Sequence, residues 1–386
     1  MTEDWQNGGF GLYIHWPFCS AKCPYCDFNS YVADRIDENR WVRAYIAEIE
    51  RTASLTKGRV LNSVFFGGGT PSLMSVSAIE QIITAVRANW SCANTIEITM
   101  EANPTSVEAG RFVGYKDAGV NRISVGIQSL NDDDLKRLGR LHTVREGIQA
   151  FELASKTFEK CSFDLIYSRQ NQTLADWQSE LKEALTIAAG HLSMYQLTIE
   201  PNTAFGDRYE KGLLKGLPTE DTEADMYFAT QEIAANAGYM SYEVSNYAKP
   251  DHESAHNLIY WRYGDYIGIG PGAHGRVTLN GTRHATETEL SPLNWLKSVE
   301  QNATGETTTA PLSREEQGTE FLLMGLRLAE GVSPTRYSEI SGLTLPETAI
   351  AHLAELGLIA ANDDNLAVTP KGRPLINGIL RELLTD

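Results

Sequence analysis

Strand-like and helix-like segments alternate six times between residues 11 and 237, and this rhythm constrains the fold more than any other feature. The strand-like runs are short, apolar and rich in β-branched or aromatic residues: Gly11–Trp16, Val60–Phe66, Thr95–Met100, Arg122–Ile127, Cys161–Tyr167 and Leu192–Ile199. Each is followed by a stretch whose apolar residues recur three and four apart. In Asp37–Thr52 these are Trp41, Tyr45, Ile46 and Ile49; in Ser77–Ala88 they are Ile79, Ile82, Ile83 and Val86. Val107–Ala118, Val144–Lys156, Ala175–Ala188 and Glu220–Ala237 continue the series. Parallel strands need a long crossover, usually a helix, and the crossover is right-handed. Six such units suit an incomplete (β/α) barrel or a doubly wound sheet.

The rhythm stops near residue 240. Residues 241–310 are rich in Gly, Tyr and His, and Gly264–Gly275 holds five glycines. We read Gln301–Ala310 as a polar linker. From 311 to 386 the pattern is helical again: Arg314–Ala329, Pro334–Ser341 and Leu345–Leu356, then a short strand at Leu366–Thr369. Helices followed by a small hairpin predict a winged-helix-like, α-rich module. Such modules often bind DNA, but this one lacks a basic face, so an interaction or lid role is expected. The expected division is therefore 1–240, 241–310 and 311–386.

Lys and Arg number 33 against 50 Asp and Glu, a net charge of −17, which repels phosphate backbones and makes nucleic acid a poor partner. No apolar run approaches the ~20 residues of a membrane span. Met1–Phe10 lacks the basic-then-apolar pattern of a secretory signal, so a cytoplasmic protein is expected.

Three of the five cysteines fall within eight residues, in Cys19-Ser-Ala-Lys-Cys23-Pro-Tyr-Cys26, directly after the first strand-like run. Three thiolates on one tight loop can each hold one iron of a cubane, leaving the fourth iron open. A structural zinc site needs four closed ligands. The nearest spare candidates, His15 and Asp27, make no familiar spacing. Cys92 and Cys161 lie apart and are expected to pack as small apolar residues.

The other polar or Gly-rich motifs sit at the ends of the strand-like runs. They are Phe66-Gly67-Gly68-Gly69-Thr70-Pro71, Met100-Glu101-Ala102-Asn103-Pro104, Ser124-Val-Gly126-Ile-Gln128-Ser129 with Arg140 shortly after, Phe163-Asp164-Leu-Ile-Tyr167 and Glu200-Pro201. In βα barrels that end builds the active site. The C-x3-C-x2-C loop and the GGGTP motif resemble the radical S-adenosylmethionine (SAM) superfamily, and the likeness runs nearly chain-long to its coproporphyrinogen III dehydrogenase (HemN-like) family. The resemblance implies an incomplete (β/α)6 barrel and a [4Fe–4S] cluster on Cys19, Cys23 and Cys26. It also implies SAM beside Tyr13, Tyr25, Gly68, Gly69, Thr70, Glu101, Gln128, Arg140 and Asp164.

Two branches of that family must be separated. The dehydrogenase typically carries a fourth Cys two residues past the third, and an N-terminal extension. Here that position is Phe28, and Cys19 lies too near the start to leave room for the extension. Both departures resemble the HemW haem-chaperone branch, as does His256-Asn257-Leu-Ile-Tyr260-Trp261, similar to its HNxxYW motif. That branch implies haem binding, delivery to respiratory haem proteins, a homodimer and contact with the membrane through a partner. SAM then serves structure or control more than turnover. Neutral imidazole is a common haem ligand, so His256, Tyr260 and Trp261 are the expected haem contacts, with His252 and His274 as rivals. The alternative is the dehydrogenase itself. One local departure stands out: Ser168-Arg-Gln170-Asn171-Gln-Thr173 replaces a Gly- or Pro-containing turn. Asn171 is expected to take the left-handed conformation there.

Overall fold

The computed structural model describes residues 3–33 and 35–384, with only the backbone of 106 and 107, so the side chain of Val107 lies outside the described residues. Six parallel strands lie side by side in chain order: β1 (Phe10–Trp16), β2 (Val60–Gly68), β3 (Ser91–Ala102), β4 (Arg122–Gln128), β5 (Lys160–Tyr167) and β6 (Gly190–Gln196). Helices α1 (Glu38–Leu55), α2 (Val76–Asn89), α3 (Phe112–Ala118), α4 (Val144–Thr157), α5 (Leu174–Ile187) and α6 (Glu220–Asn236) follow them in turn. The starts are chemically marked. Thr143 with Glu146 and Thr173 with Asp176 close reciprocal caps at α4 and α5, satisfying N–H groups that would otherwise lack partners. The periodic stretch 107–118 breaks into two pieces, at 106–109 and 112–118. Gly110 stands in the break, and glycine is the weakest helix former after proline.

Side chains alternate across each strand. Leu12, Ile14, Val64, Phe66, Ile98, Met100, Ile123 and Val125 are buried beneath the helices. The register Tyr13↔Phe65, Phe65↔Thr99, Glu101↔Ser124 and Asp164↔Ser193 puts the other set on the concave face. That face is polar, so the barrel interior is chemically furnished rather than simply packed.

Residues beyond 240 extend the same sheet in both directions. Met240–Ser241 (β7) and Asn246–Ala248 (β8) add antiparallel strands beyond β6. Asp265–Ile269 (β9) returns to pair parallel with β1, followed by antiparallel β10 (His274–Leu279), β11 (Thr282–Thr288) and β12 (Glu306–Pro311). The outermost strands, β12 and β7, do not pair with each other, so the sheet stays open. This corrects the reading of Gln301–Ala310 as a linker. Helix α8 (Pro292–Asn302) ends there and β12 begins, with Thr308 opposite Glu287. Thr307, Thr308 and Thr309 are β-branched strand formers, and their polarity marks an exposed edge.

Helix α7 (Ala255–Trp261) does not cover the outside of the sheet. It lies against the concave side, where Ile259 and the His256 ring fill the space a side chain at Gly11 would need. The C-terminal part contains α9 (Arg314–Gly325), α10 (Pro334–Ser341), α11 (Glu347–Glu355), a hairpin of β13 (Ile359–Asn362) and β14 (Asn365–Val368), and α12 (Ile376–Leu383). It has its own core, including Phe321, Leu322, Leu353, Leu366 and Leu380, into which Tyr263 inserts from the barrel side. Arg336 binds Asp4 at 2.7 Å and Arg276 binds Glu320 at 2.8 Å, tying that part to both ends of the preceding chain. Among the described residues no helix is long and apolar enough to cross a membrane.

Candidate cofactor site at the C-terminal ends of the strands

The segment after β1 crosses the top of the barrel as a tight loop. Phe18–Cys19 pairs with Tyr31–Val32, and the Cys26 N–H donates to the Cys23 carbonyl at 3.1 Å. The β2 turn is stitched to it. Gly69 N–H donates to Trp16 O at 2.6 Å and Thr70 N–H to Phe18 O at 2.8 Å. Gly68 has φ 102°, and a Cβ there would strike the His15 ring at 2.5 Å, so only glycine serves.

Cys19, Cys23 and Cys26 are all free, half-buried and set around one cavity of about 160 Å³. Burial pushes the Cys19 thiol up, partly offset by Thr70 and Ser30; burial also pushes up Cys26, against the Phe28 backbone bond. Tyr25, Gly68, Gly69, Thr70, Glu101, Gln128, Arg140 and Asp164 line the same cavity, so the structure brings together every residue expected beside SAM except Tyr13. Tyr13 lies beneath it, stacked on Phe65, with its hydroxyl 3.0 Å from His15 Nδ1.

Two half-buried carboxyls face this space. Burial, then the nearby Asp164, push Glu101 up from 4.5 to about 8, against a hydrogen bond from the Gly68 backbone. Burial pushes Asp164 from 3.8 to about 6, eased by Ser193, Ser124 and Arg140. Ser124 donates to Asp164 at 3.2 Å. Without a ligand, burial favours a proton on Glu101 up to about 8 and on Asp164 only up to about 6. A cationic or hydroxyl-bearing ligand would draw them into the charged form.

Arg140 gathers the opposite wall. Its guanidinium reaches Cys23 Sγ at 3.4 Å, Asn103 Oδ1 at 2.6 Å and the Gly126 carbonyl at 2.8 Å. Asn103 also donates to Thr70 Oγ1 at 3.1 Å. Sequence reasoning quoted Asn103, Ser124 and Gly126 within motifs but did not select them; their position at strand ends was the available signal. The turn after β4 is held from below. Glu180 accepts from Ser129 Oγ at 2.9 Å and from Leu130 N–H at 2.7 Å, and pairs with buried Arg169. Arg169 comes from the departing loop, where Asn171 takes φ 61° and donates its N–H to Gly216 O at 2.6 Å. The turn therefore forms without its glycine.

The HNxxYW residues lie elsewhere. His256 is buried at the floor of the concave face, with Nδ1 2.7 Å from Ser63 Oγ and Nε2 2.6 Å from Tyr260 OH. It stacks on Phe65, and burial pushes its pKa down to about 3. Both ring nitrogens are engaged, so the imidazole offers iron no lone pair in this arrangement. Tyr260 also packs edge-on to Tyr266 at 4.4 Å, and Trp261 is half-buried at the end of α7. His252 packs over Gly190 at the barrel floor, while His274 is exposed at the upper rim.

The donor set fits a cubane cluster. Among the described residues no three His, Cys, Asp or Glu converge so as to hold one metal ion. The three thiols instead share the wall of one cavity, as separate irons require.

The fold and this cavity define a radical SAM protein. Residues 13–184 match the Radical SAM superfamily and residues 312–375 the HemN C-terminal domain. Membership implies SAM and a [4Fe–4S] cluster. The fold resembles the solved structure of coproporphyrinogen III oxidase (HemN) from Escherichia coli, with a TM-score of 0.83 over 98% of this chain and 91% of that one, at 22% identity. Sequence likeness is higher to proteins of another name. The heme chaperone HemW of Escherichia coli is 38% identical, covering 97% of this chain and 98% of the relative. That of Haemophilus influenzae is 37% identical with the same coverage. Radical S-adenosyl methionine domain-containing protein 1, mitochondrial, of Bos taurus is 36% identical over 97% of this chain and 87% of its own length. The chain belongs to the HemW family of radical SAM proteins.

Proposed function

We propose that this protein is a haem chaperone: it binds haem and hands it to haem proteins of the respiratory chain. The observation that carries the reading is the 38% identity to the heme chaperone HemW over almost the whole of both chains. Phe28 supports it, because it stands in the cavity wall where the dehydrogenase branch carries a further Cys. Decarboxylation of coproporphyrinogen III is the less favoured alternative.

Within this reading Cys19, Cys23 and Cys26 hold the [4Fe–4S] cluster, which supplies one-electron chemistry and an iron open to SAM. The protein's own groups make the pocket around them. Backbone groups of Gly68, Gly69 and Thr70 present polar atoms at its edge. Glu101 and Asp164 accept from a cationic amine or from hydroxyls. Gln128 and Tyr25 complete the walls, and Tyr13 supports the floor. Arg140 offsets thiolate charge and orders Asn103.

We further propose that residues 1–240, 241–310 and 311–386 act as cofactor barrel, interior plug and interaction module. The chaperone works in the cytoplasm as a homodimer and reaches the membrane through its haem acceptor. Haemin titration of the anaerobically reconstituted protein, followed in the Soret band and by native mass spectrometry, tests the function. Saturable binding of one haemin per chain is expected. Absence of saturation would return the reading to the enzyme alternative.

A further inference from the structure

Haem iron needs an imidazole nitrogen that is free and reachable. The chain has eight histidines. His15 and His256 spend both nitrogens on protein partners. His142 and His191 are buried. His252 keeps one ring nitrogen buried without a partner at the barrel floor. His284 on β11 has Nδ1 2.9 Å from the Thr282 carbonyl, and His352 has Nδ1 2.6 Å from Glu382. Both keep Nε2 uncommitted, but His284 pairs opposite Val277, farther down β10, and His352 belongs to the C-terminal module. His274 is the exposed imidazole at the cofactor end. It is 59% exposed, at the first position of β10 and on the cofactor side of the barrel.

Two further observations converge on it. Glu287, its partner across the β10–β11 pair, has Oε1 3.8 Å from His274 Nδ1, too long for a hydrogen bond but within reach of one after a small side-chain movement. A carboxylate that closes on Nδ1 is the usual partner of a metal-ligating imidazole and leaves Nε2 for the metal. The neighbouring rim is also unusually apolar. Phe28, Tyr31, Val32, Leu290 and Leu293 are each 40–62% exposed. They belong to one assembly. Asn29 donates to the carbonyls of Pro271 and Leu290, both at 2.9 Å, and a Cβ at Gly272 (φ 76°) would strike Asn29 at 2.5 Å. His15 Nε2 is 2.9 Å from the Asn29 carbonyl, and His15 also interacts electrostatically with His274, so this loop and His274 are neighbours. Exposed Lys22, on the same loop with Nζ 3.3 Å from the Ser30 carbonyl, supplies a cation for a propionate.

We propose that haem docks on this rim, with His274 Nε2 as its axial ligand and Phe28, Tyr31 and Leu290 against its apolar face. An exposed imidazole beside apolar surface matches a metalloporphyrin; a metal ion alone would not need the apolar rim, and a protein partner would not need the imidazole. The inference rests on the haem-chaperone reading and adds the location of the haem to it.

The test is haemin titration of the reconstituted full chain, read by Soret position and low-spin EPR, on wild type, His274→Ala, His252→Ala and Phe28→Ser. In His274→Ala, affinity should fall by roughly tenfold or more and the imidazole-ligated spectrum should vanish. Free imidazole should restore that spectrum, which separates ligand loss from misfolding. Phe28→Ser should weaken binding by a few-fold with the ligation signature intact. Wild-type affinity and spectrum in His274→Ala, or loss of the signature in His252→Ala instead, would overturn the assignment while leaving the chaperone reading in place. Failure of wild type to bind haemin saturably would overturn both.

Discussion

The two ends of the barrel's concave face carry similar residue types and put them to different use. At the top, Cys19, Cys23, Cys26, Glu101, Asp164 and Arg140 surround open space. At the floor, His256, Ser63 and Tyr260 close on one another, with Glu97 beside them. Helix α7 delivers the His256 ring to β2, and its first turn meets Glu97 through the Ser254 hydroxyl at 3.4 Å and the His256 N–H at 3.3 Å. A polar residue with its bonding capacity filled from within the chain holds structure. The same residue with spare capacity facing a cavity holds a ligand. Substitutions at the top should therefore change cofactor content with little loss of stability, and substitutions at the floor should do the reverse.

The largest expected effect is at the top. Cys23→Ala should abolish the cluster, because three thiolates are the fewest that hold a cubane with one open iron. Retention of four irons per chain by iron and sulfide analysis after reconstitution would break the assignment. At the floor, His256→Ala should cost about 2–4 kcal/mol, since it leaves a cavity and strands the buried Ser63 and Tyr260 hydroxyls. Urea denaturation should show the loss while iron content stays at the wild-type level; full stability with lost iron would invert the comparison.

A smaller effect sharpens the view of the top. With Glu101 held up to about 8, the folded apo-protein keeps a proton that the unfolded chain has released above 4.5. Stability contributed by this group is therefore present below 4.5 and declines as pH rises toward 8. Asp164 adds the same slope between 3.8 and about 6. Glu101→Gln should flatten the fall in urea midpoint between pH 5 and 8, roughly the window set by the shift. An unchanged pH profile would show that Glu101 is ionised in the fold. The smallest effect is expected at Cys92, which is half-buried and away from the cavity. Cys92→Ser should leave iron content unchanged and alter stability by no more than about 0.5 kcal/mol.

The barrel was legible because each unit announces itself locally. Strand alternation, helix periodicity and the caps at Thr143 and Thr173 all agree within short windows. The cofactor cavity was legible because its residues sit in motifs at strand ends, which the topology then gathers. What failed to show depended on distant pairing. Asp265–Ile269 carries no sign that it will return to β1, some 250 residues earlier, and edge strand β12 looked like a polar linker. Asn103 needed Arg140 and Thr70 beside it to stand out. For the histidines, residue type and motif pointed to His256, whereas hydrogen-bond accounting together with the exposed apolar rim points to His274. That accounting exists only in three dimensions.

The measurement that bears most directly on the central claim is transfer. The reconstituted protein is loaded with one equivalent of haemin and mixed with an apo haem protein, and the Soret band is followed over time. A parallel sample receives coproporphyrinogen III, SAM and a reductant. The account predicts that the Soret band moves to the acceptor's position and that no decarboxylated tetrapyrrole forms in the parallel sample. Haemin that stays bound or never binds, together with turnover of coproporphyrinogen III, would contradict it.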